Sequence, residues 1–128
     1  MATFKTSKDT ILDLTMVEVS GKLSAAEIID WLVQYYRKPP TTSILWDYRK
    51  ADLSAGNLEA IEEILTHVLE SGKVRPLGKT ALVFDDDNSL KLGEIFSDRV
   101  VESGHEVVFR AFLDAGDGRI DFLGRLHG

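Results

Sequence analysis

The feature that most constrains the fold of this chain is its alternation of short apolar segments with longer amphipathic ones. The apolar segments have the length of β-strands, and the amphipathic segments repeat their apolar residues at the helical period. Strands that are separated by helices pair in parallel through right-handed crossovers, so this order predicts an α/β domain. The predicted strands span residues 3–8, 11–19, 43–48, 79–84 and 106–112, and the predicted helices span residues 24–38, 54–70, 88–102 and 117–127.

The resulting order, ββαβαβαβα, predicts a five-stranded mixed sheet and four helices that cover mainly one face. The first two strands flank the polar turn 8–10, which is typical of a hairpin, so the first strand is the antiparallel edge strand. The second strand alternates imperfectly, because Leu14 and Met16 share one face whereas Val17 and Val19 share the other. A β-bulge or a strand that is covered on both faces would explain this pattern.

Several residues mark helix ends. Ser24 and Glu27 have the spacing of a capping box at the start of the first helix, and Pro39 follows its end. The second helix is predicted to begin near Ser54, with that serine or Asp52 as its N-cap. Asn88 is the predicted N-cap of the third helix.

Composition narrows the classes of function. A length of 128 residues predicts one domain. The net charge of −6 argues against nucleic-acid binding, which requires a clustered basic face. No apolar run approaches the ~20 residues of a transmembrane helix, the first residues lack a signal-peptide core, and there are no cysteines for disulfides. We therefore predict a cytoplasmic protein.

Residues 17–24 read Val-Glu-Val-Ser-Gly-Lys-Leu-Ser, and residues 46–54 read Trp-Asp-Tyr-Arg-Lys-Ala-Asp-Leu-Ser. These two segments resemble the STAS superfamily, and most of all its SpoIIAA-like branch of small bacterial proteins. In both places a strand leads into a helix. The element order and the length agree with this family over essentially the whole chain, so the resemblance implies a single SpoIIAA-like domain at residues 1–128.

The resemblance also carries functional expectations. In STAS regulators an Asp-Ser-Ser/Thr-Gly pattern opens the helix after the third strand, and a partner kinase phosphorylates a hydroxyl residue there. The matching place is residues 52–56, which keep Asp52 and Ser54 but insert Leu53. The resemblance implies a regulatory module with a protein partner. For the SpoIIAA-like branch it also implies binding of small apolar or lipid-like ligands, or peripheral membrane contact.

The turns at the carboxyl ends of the third and fourth strands form the candidate site, because open α/β sheets bind ligands at that edge. Each candidate also has a structural interpretation. Ser54 is either a regulated residue or a cap, Asp47 and Arg49 are either ligand contacts or an ion pair, and the acids after the fourth strand are either a site or helix-start residues. The candidate binding or regulatory residues are Asp47, Arg49, Asp52, Ser54, Asp85, Asp86 and Asn88.

No pattern of catalytic residues is present, so we predict neither an enzyme nor a cofactor. The alternative is an enzyme with magnesium bound by Asp47 and the acids at residues 85–87. The three histidines lie far apart in sequence and lack the spacing of metal ligands. The chain has no nucleophile elbow and no phosphate-binding glycine loop.

Trp31 and Tyr35 are the predicted apolar contact, because Trp31 lies outside the core stripe of the first helix. If the two side chains are exposed, they could form a homodimer contact, border a ligand site or insert into a membrane surface. In the structural interpretation, Trp31 instead packs on a neighbouring helix or on the terminal segment. A basic group near the opposite edge could dock on anionic lipid or complement helix dipoles. It comprises Arg37, Lys38, Lys73, Arg75 and Lys79.

These observations predict a non-catalytic binding or regulatory module. It contacts a protein partner or a small apolar ligand at the junction between the third strand and the second helix. The alternative is a peripheral membrane or lipid-binding protein that uses Trp31, Tyr35 and the basic residues.

Overall fold

The structure is a computed structural model that describes residues 2–71, 79–102 and 108–113. Strands and helices alternate along the chain after an initial hairpin. The strands are Thr3–Asp9 (β1), Leu14–Lys22 (β2), Ser43–Asp52 (β3), Lys79–Phe84 (β4) and Val108–Leu113 (β5), and the helices are Ala25–Tyr35 (α1), Leu58–Ser71 (α2) and Asp87–Glu102 (α3).

The strands form one sheet in the order β1-β2-β3-β4-β5. The β1 strand runs antiparallel to β2, and every other neighbouring pair is parallel. The predicted α/β class, with a mixed sheet and one antiparallel pair, is therefore confirmed. The predicted helix at residues 117–127 lies outside the described residues.

The helices α1, α2 and α3 pack on the same face of the sheet. Strand residues Val17, Ile44 and Trp46 belong to the buried cluster on this face, together with Ile28 and Leu32 of α1. Half-buried side chains of α2 and α3 complete the contact, namely Ile64, Val68, Leu90 and Phe96.

The opposite face of the sheet is also apolar. Leu14, Leu45, Ala81 and Val83 form a second buried cluster there, against which Met16 packs. The pairing of β2 with β3 shifts register between Glu18 and Ser20. Both explanations offered for the irregular second strand therefore apply, since β2 has an irregularity in its ladder and buried residues on both faces.

Several predicted boundaries were wrong, for local reasons. The second strand begins at Leu14 rather than Ile11, because Asp9 accepts backbone hydrogen bonds from Ile11 and Leu12 in a turn. Ile11 is accordingly 93% exposed. The third strand continues to Asp52 instead of ending at Tyr48, since its last residues pair with β2. The first helix ends three residues before its predicted end, in turns at residues 36–38.

The predicted capping box of α1 is confirmed. The Ser24 hydroxyl accepts the Glu27 backbone N–H at 3.3 Å, and the Glu27 carboxylate accepts the Ser24 backbone N–H at 3.2 Å. A second Glu27 oxygen accepts the backbone N–H of Ala2 at 2.8 Å, which ties the start of β1 to the helix.

Replacing Ser24 with alanine is expected to lower the free energy of unfolding by about 0.5–2 kcal/mol, because one helix donor loses its acceptor. Urea titration followed by circular dichroism measures the change. The matched control is Ser54→Ala, since Ser54 is exposed and caps no helix. An equal effect of the two substitutions would contradict the assigned cap.

Candidate functional site at the junction of strand 3 and helix 2

Two turns lie side by side at one edge of the sheet. β3 and β4 are parallel neighbours, with Asp47 opposite Val83, so the 53–57 loop and the start of α3 leave the sheet in the same direction. A tight turn closes the loop, in which Gly56 donates to the Leu53 carbonyl at 2.8 Å. Contact with α3 is direct, because a Cβ atom at Gly56 would lie 3.0 Å from the Leu92 Cδ1.

Asp52, the last residue of β3, and Ser54 lie where this loop begins. The Asp52 carboxylate accepts the Ser54 backbone N–H at 2.9 Å, and hydrogen bonding from Ser54 holds the pKa of Asp52 below its usual value. Neither residue caps α2. Asn57 does so, because its side chain accepts the Ala60 N–H at 2.8 Å and the helix begins at Leu58. The predicted start near Ser54 was therefore wrong, and Ser54 is an exposed loop residue.

Asp47 and Arg49 form a bidentate ion pair. The Arg49 Nε and a terminal nitrogen donate to the two Asp47 carboxylate oxygens at 2.9 and 2.8 Å. Trp46 and Tyr48 point towards the helices, so by strand alternation this pair lies on the opposite face. The structure thus separates Asp47 and Arg49 from the loop residues, although all belong to one strand and the turn that follows it.

The acids after β4 are all exposed, and one of them caps a helix. Asp86 accepts the Ser89 backbone N–H at 2.7 Å and its hydroxyl at 2.9 Å. The predicted cap at Asn88 was wrong, because α3 already begins at Asp87. Asp85 precedes the start of α3, and Asn88 lies in its first turn.

The capping role of Asp86 predicts a dependence of stability on pH. Hydrogen bonds from the Ser89 backbone and side chain lower the pKa of Asp86 from the ordinary 3.8. A lowered folded-state pKa contributes stability that is fully present above the unfolded pKa and is lost as pH falls through the folded pKa. The stability difference between wild type and Asp86→Asn should therefore shrink from about pH 6 to about pH 2. Urea titrations at a series of pH values measure it, and a constant difference would refute the cap.

The described side chains do not form a metal site. Within residues 2–71, 79–102 and 108–113, no three histidine, aspartate or glutamate side chains cluster closely enough to bind an ion. The Asp47 carboxylate, which the magnesium alternative required, is paired with Arg49.

The sequence did not reveal an apolar cavity of about 140 Å³ between the helices and the sheet. Loop residues Leu53, Ala55 and Gly56 form part of its wall, so the cavity lies directly behind the junction of β3 and α2. Most of the remaining wall is apolar, and all three described helices contribute to it through Ala25, Ile28, Leu32, Ala60, Ile61, Ile64 and Leu92. The insertion of Leu53 into the family pattern was the one sequence signal of an apolar turn here.

The sheet side of this cavity is aromatic. The Tyr48 ring stacks between Trp46 and Phe84, with ring-centre distances of 5.8 and 5.5 Å and interplanar angles of 5° and 12°. The Phe84 ring also touches α3 closely, because Gly93 leaves no side chain in the way. Burial raises the pKa of Tyr48, so its phenol stays protonated. Every described residue that lines the cavity is uncharged.

Trp31 and Tyr35 form an ordered aromatic pair rather than a projecting one. Their rings stack with centres 4.7 Å apart, and Trp31 meets Trp46 edge to face at the same distance. Both are half-buried, and the Tyr35 hydroxyl accepts the Thr41 backbone N–H at 3.0 Å. Trp31 thus packs on the sheet, whereas the structural interpretation placed it on a neighbouring helix or on the terminal segment. This pair borders a separate polar groove that also contains Thr15, Lys8 and Lys38.

Two further findings bear on membranes. In the part of the chain that the structure describes, no helix combines the length and the apolarity needed to cross a bilayer. Arg37, Lys38 and Lys79 of the predicted basic group are described, whereas Lys73 and Arg75 lie outside the described residues.

Comparisons with known proteins identify the fold. No family model and no curated protein matches this chain. The chain is similar in structure to an uncharacterized DUF3478-family protein with a SpoIIAA-like fold from Shewanella loihica PV-4, at a TM-score of 0.57 and 20% identity over 98% of this chain and 93% of that one.

Two regulators are also similar in structure. The first is the anti-sigma factor antagonist SpoIIAA in its unphosphorylated form, at a TM-score of 0.57 and 16% identity over 98% of this chain and 99% of that one. The second is an anti-sigma factor antagonist from Mycobacterium paratuberculosis, at a TM-score of 0.60 and 10% identity over 100% of this chain and 96% of that one. Full-length structural agreement at these identities shows that this chain has the SpoIIAA-like fold.

Proposed function

We propose that this domain is a non-catalytic binding module that takes a small apolar ligand into the cavity behind the junction of β3 and α2. The observation that carries the proposal is the cavity itself, about 140 Å³ in volume and lined by uncharged residues. A cavity of about 150 Å³ with aliphatic and aromatic walls stays dry and takes up benzene, so this volume suits one ring. Packed interiors contain few voids of this size, which favours a binding role over a packing defect.

The position of the cavity connects a ligand to the protein surface. Leu53, Ala55 and Gly56 contribute to its wall, while the exposed Asp52 and Ser54 belong to the same loop. A ligand that presses on the inner side of this loop changes what the outer side presents to a partner. Two structural neighbours are named anti-sigma factor antagonists, which supports a regulatory role in which a partner protein reads this loop.

The test is a titration of the folded protein with benzene, followed by ¹⁵N–¹H NMR. We expect saturable shifts of the Gly56 and Gly93 amides, because both residues line the cavity. The blocking variant is Ala25→Phe, since Ala25 lines the cavity at the start of α1. Its neighbour Ala26 is exposed and absent from the lining, so Ala26→Phe is the matched control.

Three results separate the outcomes. Benzene shifts that Ala25→Phe abolishes and Ala26→Phe preserves would support the cavity as the binding site. No saturable shift in the wild type would contradict the proposal. If the shifts persist in Ala25→Phe with unchanged affinity, benzene binds somewhere other than the cavity, which would also contradict the proposal.

A further inference from the structure

Among the hydroxyl groups of the cavity wall, that of Tyr48 differs from the others. Of the hydroxyl residues that line it, Ser24 is engaged in the capping box, and Tyr36 and Thr80 have interactions with other groups. For Tyr48 the described part of the chain supplies ring contacts but no hydrogen-bond partner. Its hydroxyl therefore has both its donor and its acceptor capacity available to a molecule in the cavity.

Building on the proposed function, we propose that the cavity selects an uncharged, single-ring aromatic ligand with one polar substituent that hydrogen-bonds to the Tyr48 hydroxyl. Trp46, Tyr48 and Phe84 contribute three aromatic rings to the cavity wall, and aromatic rings pair favourably with one another, which suits an aromatic ligand. The volume admits about one ring. A charged ligand would lose its hydration without gaining a counter-charge, since the lining contains none.

A ligand with a polar substituent can form a hydrogen bond with the half-buried Tyr48 side chain, whose hydroxyl has no hydrogen-bond partner among the described residues. Desolvation raises the pKa of the Tyr48 phenol, so the phenol is protonated and can donate as well as accept. A ligand with a hydroxyl or a carbonyl therefore gains over an apolar ligand of the same size.

The experiment compares phenol with toluene, which has the same number of non-hydrogen atoms, in the wild type and in Tyr48→Phe. Dissociation constants come from the same NMR titrations, with benzoate as the charged probe. We expect the ratio of phenol affinity to toluene affinity to fall about threefold to tenfold in Tyr48→Phe, as for the loss of one neutral hydrogen bond. Toluene affinity should stay unchanged, and benzoate should not bind.

The outcomes distinguish this inference from the proposed function. If toluene binds equally to both proteins and the phenol-to-toluene ratio is also equal, the cavity binds ligands but Tyr48 does not select them, and the inference is overturned. If neither probe binds the wild type, the proposed function itself fails. Urea titration of Tyr48→Phe adds a ligand-free readout, because removing an unpartnered hydroxyl should leave stability unchanged or raised, whereas a clear loss would reveal a partner and overturn the inference.

Discussion

Replacing Trp46 with alanine is expected to lower the free energy of unfolding by about 3–5 kcal/mol, which is the usual cost of deleting a buried aromatic side chain. Trp46 is 5% exposed, lies in the central region of β3 and contacts both Trp31 and Tyr48 through its ring. It therefore joins α1 to the aromatic wall of the cavity. Urea titration followed by far-ultraviolet circular dichroism measures the loss independently of tryptophan fluorescence.

The control for this substitution keeps an aromatic ring. Trp46→Phe retains part of the contact with Tyr48 and should cost clearly less than the alanine variant. If Trp46→Ala lowered the free energy of unfolding by less than about 1.5 kcal/mol, the effect would be no larger than that of a conservative core substitution. That result would contradict a central position for this ring.

Replacing Gly93 with valine is expected to lower the free energy of unfolding by about 1–3 kcal/mol through overpacking. A Cβ atom at this position would lie 2.3 Å from the Phe84 Cε2 and 2.6 Å from its Cζ, so the ring has to move. Phe84 borders the cavity, and displacement of its ring into that space should also weaken benzene binding. Urea titration and the NMR titration measure the two effects.

A double-mutant cycle assigns this cost to the contact. Phe84→Leu removes the ring that valine would meet, so Gly93→Val should cost much less in that background than in the wild type. If Gly93→Val lowered the free energy of unfolding equally in both backgrounds, the valine side chain would clash with a group other than the Phe84 ring. That result would contradict Gly93 as the residue that lets α3 approach β4.

The sequence predicted the elements whose determinants are local. The span 79–84 matches β4, since its apolar residues are all buried. The start of α1 was predicted because Ser24 and Glu27 satisfy each other within one turn. In such places nearby residues decide the structure, and distant contacts only reinforce it.

The errors concern segments whose structure depends on distant partners. Three of the four residues 49–52 are charged and the segment was interpreted as a loop, yet it continues β3 because residues 50–52 pair with the end of β2. Lys50 donates to Glu18 at 2.8 Å across these strands, a contact between residues far apart in sequence. Helix α2 begins at Leu58 and not near Ser54, because Asn57 rather than Ser54 caps it.

The sequence predicted that the turns after β3 and β4 lie close together, whereas their role as a binding site stays a prediction. The loop of Asp52 and Ser54 lies beside the start of α3, whereas Asp47 and Arg49 form an ion pair on the other face of the sheet. The cavity depends on side chains from α1, α2, α3 and the two strands β3 and β4 together, so no local sequence pattern predicts it. Its aromatic wall arises only when β3 and β4 pair and bring Tyr48 and Phe84 side by side.

The central claim, an accessible apolar cavity behind the junction of β3 and α2, is tested most directly by diffraction from crystals pressurised with xenon. Xenon enters dry apolar cavities of this size. We predict a xenon atom between the sheet and the helices, in contact with Ile61 and Leu92, and its absence from crystals of Ala25→Phe. Wild-type crystals in which side chains fill this space and no xenon binds there would contradict the account.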